Sequence, residues 1–230
     1  MFHALSQRFD RALIVAVVGL ALLAGLIGPA GAASKGEELV EESRFTLQRL
    51  LADPDLPDLK RYVSNAQGVL IIPELVKGGF ILGAEGGSGV LMVRGTDGTW
   101  SAPAFYTLAA GSIGLQAGGQ VSEVVFAIMN QGAVNAIIND EIKLGADASV
   151  AVGPFGAGLE ASTTTHFDAD IYAFSRAVGL FGGGAFEGAK LISRQDWNDD
   201  YYGAKAPPHT VLIERKFFNP QADPLRSALP

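Results

Sequence analysis

The sequence predicts an α+β fold: a strongly curved, glycine-rich antiparallel sheet or partly closed barrel. An N-terminal amphipathic helix and one or two short helices pack on it. Three observations carry this reading. Apolar residues recur at every second position through most of residues 68–192, the period of a strand. Helical spacing interrupts that stretch only once, so the alternation that βαβ units require is missing. Of 29 glycines in 230 residues, 23 lie between Gly68 and Gly188, which permits tight bends and close backbone approach.

Composition narrows the function. With 48% hydrophobic and 18% charged residues the chain is too apolar for disorder. Its formal charge of −7 argues against nucleic acid as a partner, because that affinity rests on Lys and Arg neutralising phosphates. The absence of cysteine removes disulfides, thiolate metal sites and cysteine nucleophiles.

Residues 1–32 read as a secretory signal peptide. Arg8 and Arg11 precede an uncharged run from Ala12 to Ala33, broken by Gly28-Pro29, and Ala30-Gly31-Ala32 fits the small-residue cleavage pattern. The competing reading is an uncleaved anchor, since the run is long enough to span a bilayer. Either reading places the domain outside the cytoplasm, periplasmic or secreted.

Residues 35–52 follow as a helix. At 100° per residue, Leu39, Val40, Leu47, Leu50 and Leu51 gather on one side. Glu37, Glu38, Glu41, Glu42 and Arg49 take the other, where Phe45 is the irregularity. Asp53-Pro54 and Leu56-Pro57 end the helix, and a further turn or two follows from Asp58 to Asn65.

The β-rich core covers residues 68–192. Gly68–Ile72, Gly79–Ala84, Gly87–Arg94 and Thr99–Thr107 read as separate runs between glycine turns, with Asp97-Gly98 as a hairpin signal. Ser122–Asn130 is apolar on both faces and so reads as a central strand. Gly132–Asp140 is the short helix. Lys143–Val152 alternates as one strand, Leu159–Ser175 keeps one period, and Leu180–Ile192 closes the series. Because glycine faces carry little volume, something must cover them, and the N-terminal helix is the simplest cover. Residues 205–230 read as a loose, proline-containing tail with one strand at Thr210–Phe217.

Catalytic chemistry finds little support. Phosphate-binding glycine motifs and a nucleophile elbow are lacking. His166, Asp168 and Asp170 share a strand face with Glu160, Ser162 and Thr164, which is the pattern of a solvated face rather than of a metal site. Asp196 to Asp200 opens like a calcium loop, but Tyr201 stands where glycine is needed and Pro207 where glutamate is needed. The reading is therefore a non-enzymatic domain without cofactor or metal. Glu187 shares its face with Phe181, Gly183, Ala185 and Ala189, so an ionised carboxylate there needs a cation, with Lys77 and Arg94 the candidates.

A family resemblance adds to this. Ala66-Gln67-Gly68-Val69-Leu70-Ile71, Lys77-Gly78-Gly79-Phe80, Gly86-Gly87-Ser88-Gly89-Val90 and Asp97-Gly98-Thr99-Trp100-Ser101-Ala102-Pro103 occur in one order. Val150 to Gly156, Ser175 to Phe181, Phe186-Glu187-Gly188, Arg194, Asn198, Tyr202 and Gly203 continue it. Together they resemble the SYLF domain over residues 35–204, and Ala222-Asp223-Pro224-Leu225 is similar to a segment that follows it in some members. The resemblance implies a lipid- or membrane-binding module of the cell envelope, whose partner is a phospholipid or membrane surface. The implied contact residues are Lys35, Leu39, Arg44, Phe45, Leu47, Arg49 and Leu50 on the first helix. It also favours Lys77 over Arg94 as the partner of Glu187, as a structural pair or a headgroup anchor.

The helix departs from the basic pattern of phosphoinositide-binding members, since four glutamates accompany Lys35, Arg44 and Arg49. Each Lys or Arg near an anionic surface contributes about 1 kcal/mol, most of which four nearby acids cancel. The alternative is a protein-interaction or structural module of the envelope, actin-regulator-like by family name, in which the helix caps the sheet and Phe45 docks a partner. An outer-membrane barrel fits less well, because Glu160 to Asp170 is polar on its outer face.

Overall fold

The computed structural model describes residues 33–79, 82–113, 118–139, 142–152, 169–176, 186 and 188–230, and Ser34–Pro230 form one compact unit. Helices α1 (Lys35–Leu51) and α2 (Leu59–Asn65) precede four long strands: β1 (Gly68–Gly79), β2 (Leu82–Val93), β3 (Ala104–Ile113) and β4 (Gly118–Ile128). Helix α3 (Gln131–Asn139) and strands β5 (Ile142–Lys143), β6 (Val150–Val152), β7 (Ile171–Ser175) and β8 (Lys190–Ser193) follow. Helices α4 (Gln195–Tyr202), α5 (Pro208–Leu212) and α6 (Asp223–Ala228) complete the chain, a 3-10 turn at Pro220–Ala222 leading into α6.

All eight strands join one curled sheet in the order β5-β8-β3-β2-β1-β4-β7-β6. The expected antiparallel pairing holds except at the edge, where β6 runs parallel to β7. Strand alternation divides the core in two. Val69, Ile71, Val90, Met92, Phe105 and Val125 face α1, α2 and the C-terminal helices. Leu70, Ile72, Leu91, Tyr106, Val124 and Phe126 face α3 and α5 on the other side. The apolar-on-both-faces run within β4 is thus a covered interior strand, as its composition predicts.

Several boundaries differ from the sequence reading, each for a local reason. β1 does not stop at Ile72. It continues through Pro73 by a bulge, because one extra residue separates Ile72 from Leu75 relative to Val124 and Ser122 on β4. A proline inside a central strand is tolerated at such a bulge, where no ladder N–H is required. β2 passes beneath it and likewise does not break at Gly86-Gly87: a Cβ on Gly89 would lie 2.3 Å from the Ile71 carbonyl oxygen, and one on Gly87 2.4 Å from that of Glu74. β3 starts at Ala104 rather than Thr99, because Ser101 Oγ accepts the Val93 N–H and donates to the Ala102 carbonyl.

The run Lys143–Val152 is split into β5 and β6 by a turn at Gly145, whose φ is 85°. Asp147 holds that turn by accepting the Lys143 N–H at 2.7 Å. The C-terminal residues are neither loose nor a strand. Pro208 and Pro224 sit in the first turns of α5 and α6, where a missing N–H costs nothing. Ala222, Leu225 and Leu229 are buried in the core that α1 covers.

Candidate functional site

Helix α1 is fixed at its start by a reciprocal cap. Ser34 Oγ accepts the Glu37 N–H at 3.2 Å, while the Glu37 carboxylate accepts the Ser34 N–H at 2.8 Å. Gly36 lies against Phe105 and Tyr201, where a Cβ would meet ring carbons at 3.0 Å. The C-terminal segment locks the same turn: Tyr201 Oη donates to Gln221 Oε1 at 2.6 Å, and Gln221 Nε2 donates to the Glu37 carbonyl at 3.0 Å. So anchored, α1 lies across β1, β2 and β4.

This placement buries part of the expected contact set. Leu47 and Leu50 are 0% exposed and Leu39 7%, all packed on the sheet rather than available to lipid. The basic residues are committed as well. Arg44 pairs with Glu41 and lies over the Phe45 ring, 4.0 Å from its centroid. Arg49 pairs with Glu123 on β4, whose carboxylate also accepts the Thr46 hydroxyl at 3.1 Å. Lys35 is exposed at the N-terminal end, its ammonium 6.0 Å from the Trp197 ring. Of the seven residues, only Phe45 is a large apolar side chain facing solvent.

Beyond α1 the described strands carry exposed apolar side chains. Val76 on β1 and Val121 on β4 are ladder partners on the helix side, 49% and 61% exposed. Their row extends through Gly86 and Ala109 to Lys190 at the β8 end. A Cβ on Gly78 or Gly111, in the neighbouring row, would meet nothing within 4 Å. The helix therefore covers the valine- and methionine-rich half of its face and, among the described residues, does not reach the glycine-rich half, contrary to the expectation that it covers the glycines. Phe45 borders this open area. Thr46, its neighbour, is bonded to Glu123, two residues from Val121. Glu42, one turn earlier, is held above the ordinary glutamate range by burial first and then by the like charges of Glu74 and Glu38.

On the opposite face the same strands carry a polar row with a buried carboxylate on its central strand, β2. Lys77 stands between Glu85 on β2 and Gln120 on β4. Glu85 is 4% exposed, and its Oε1 has no hydrogen-bond partner. Burial pushes its carboxyl up, and the Lys77 charge opposes that shift. Glu187, matched with Lys77 from the sequence, lies outside the described residues. Arg94, the other candidate, instead donates to the carbonyls of Val63, Ala66 and Pro230 and lies 4.2 Å from the Trp100 ring centroid. Glu85 was missed by sequence reasoning, although it shares its strand parity with Leu91 and Val93 and so belongs on a core face.

Reactive groupings do not appear in the described part. Among the described residues no three His, Cys, Asp or Glu side chains cluster to hold a metal. His166, Asp168 and Glu160 lie outside them. Asp170 instead staples the sheet edge: it accepts the Ser149 N–H and hydroxyl and the Asn130 amide, bonds that hold its carboxyl below the usual range. Asp196 to Asp200 form part of helix α4 rather than an ion-binding loop. Within α4 the buried Asn198 accepts the Phe105 N–H at 2.9 Å. A surface cavity of about 510 Å³ opens between Trp100, Arg215, Phe218 and Arg226. Its arginines are already paired, Arg215 with Asp97 and Arg226 with Asp223.

Known proteins share much of this sequence. The family model for Ysc84, described as a Las17-binding protein actin regulator, matches residues 109–230, more than half of the chain. Protein YSC84 of Saccharomyces cerevisiae is 35% identical over 166 residues, 71% of this chain and 35% of the relative. The SH3 domain-containing YSC84-like protein 1 of Xenopus laevis is 35% identical over 170 residues, 74% of this chain and 50% of the relative. Its human counterpart is 32% identical over 182 residues, 79% of this chain and 52% of the relative. The chain thus spans about a third to a half of the length of these relatives. On the extent of these matches, the chain belongs to the Ysc84 family, the SYLF-domain proteins.

Proposed function

We propose that this chain is a non-enzymatic protein-interaction module, with its docking face at the uncovered end of the sheet beside α1. One observation carries the reading. The apolar stripe of α1 is buried in the core, while Val76, Val121 and Phe45 remain exposed on the same side. Burying a leucine contributes about 1.5–3 kcal/mol whether the new surroundings are core or hydrocarbon. Moving Leu39, Leu47 and Leu50 from core to bilayer therefore gains little transfer energy and loses their packing. The description of the family, which speaks of Las17 binding and actin regulation, supports a protein as the partner class.

Membrane association of the folded domain is the competing reading, and four glutamates on α1 oppose it at an anionic surface. We propose, from the signal-peptide pattern of residues 1–32, that the chain is exported and its partner lies outside the cytoplasm: recovery of a mature chain beginning at Ala33 would agree, and an intact Met1 in the cytoplasmic fraction would contradict it. Two assays on the full chain test the function. Flotation with phosphatidylglycerol vesicles should show no dependence on Val76→Asp/Val121→Asp. Pull-down of a specific protein, actin filaments included as one bait, should be lost in that variant with its melting temperature retained. Vesicle binding abolished by the substitution, with no protein captured, would reverse the assignment.

A further inference from the structure

The open face has a chemistry of its own. Glu38, Glu42 and Phe45 lie along one exposed stripe of α1 at spacings of four and three residues. Among the described residues, Glu38, Glu42 and Glu74 have no cation within ion-pair distance, since Arg44 and Arg49 are held by Glu41 and Glu123. Three like charges thus border an apolar area on which Val76 and Val121 project from small neighbours. β1 is paired on both sides, with β2 and β4, so at Val76 an incoming strand has no edge to extend, while β4 meets β7 only over Val124–Ile128. A flat floor of glycine and alanine, by contrast, lets a helix approach closely.

The geometry points to a basic amphipathic helix of a partner protein as the occupant of this face. The inference rests on the protein-docking reading above. The partner's apolar stripe lies on Phe45, Val76 and Val121, and its lysines or arginines answer Glu38, Glu42 and Glu74. An anionic bilayer meets the same carboxylates and is repelled by them. The placement also explains why Glu42 sits beside like charges rather than beside Arg44: a cation from outside the chain completes the cluster.

The test uses the purified full chain and two 18-residue model peptides, one of leucine and lysine and one of leucine and glutamate, each patterned as an amphipathic helix. Fluorescence anisotropy should show saturable binding of the basic peptide only. Glu42→Lys/Glu74→Lys should weaken it at least tenfold, and Val121→Asp should do so alone. A control charge change of equal size at Asp55 and Asp200 should weaken it less than threefold. Near-ultraviolet circular dichroism identifies any variant that has lost its fold, and Glu42→Gln/Glu74→Gln then serves as the milder replacement. Equal loss from the control pair, or binding indifferent to Val121→Asp, would overturn the inference as mere attraction to an acidic protein. A partner protein captured through Val121 while the basic peptide fails to bind would overturn the partner chemistry and leave the docking face standing.

Discussion

Glu85 stands directly across from Lys77 in the β1–β2 ladder, with 4% of its surface exposed and Oε1 without a hydrogen bond. The lysine assigned from sequence to a distant acid therefore has an acidic neighbour one strand away. Burial raises the Glu85 carboxyl in the fold, so the native state favours its protonated form. The stability this contributes is fully present below the ordinary glutamate value and is lost as pH rises through the raised native value. Melting temperature of the wild type should fall across that window. Glu85→Gln should remove that component of the slope, and Lys77→Met should steepen it and cost about 1–3 kcal/mol near neutrality. Identical pH profiles for wild type and Glu85→Gln would show that the carboxyl is solvated.

The bulge at Pro73 makes a prediction about glycines that look alike in sequence. Gly89→Ala would place a Cβ 2.3 Å from the Ile71 carbonyl oxygen, so the two central strands must separate. Urea denaturation should show a loss of more than about 3 kcal/mol, beyond the usual range for a point substitution. Gly78→Ala meets nothing within 4 Å and should be neutral or stabilise by about 0.5–1 kcal/mol. Equal effects at the two positions would contradict the register shift.

Asn198 joins α4 to the start of β3. Its Oδ1 accepts the Phe105 N–H at 2.9 Å, and the residue is 0% exposed. Asn198→Ala leaves a buried backbone donor unsatisfied and should cost about 1–3 kcal/mol. Asn198→Asp retains an acceptor but buries a charge, so its deficit should shrink on acidification. A pH-independent deficit for Asn198→Asp would mean that water reaches the Phe105 amide.

Much of this architecture was legible where local pattern and tertiary demand agree. α1 declares itself by its apolar spacing, and β4 by being apolar on both faces. Legibility failed where a residue does the opposite of its usual work. Pro73 reads as a strand end and is a bulge; Pro208 and Pro224 read as interruptions and open helices. Lys143 to Val152 alternates without fault, yet Gly145 turns the chain inside it. The open face was hidden for another reason. Strand parity places Val121 on the helix side, but Val76 joins it only because the Pro73 bulge shifts the register of β1, and only the packed length of α1 decides that both lie beyond its reach. Glu85 falls between the runs Gly79–Ala84 and Gly87–Arg94, so its core-facing parity follows only once β2 is continuous through Gly86-Gly87.

The central claim, that Val76 and Val121 meet a protein rather than a membrane, is tested most directly by a photo-crosslinking amino acid at position 121 of the full chain in its native cells. Mass spectrometry of the adducts should show a discrete protein partner, absent when the crosslinker replaces Asp200. Phospholipid adducts at position 121, or no adduct above the Asp200 level, would contradict the account.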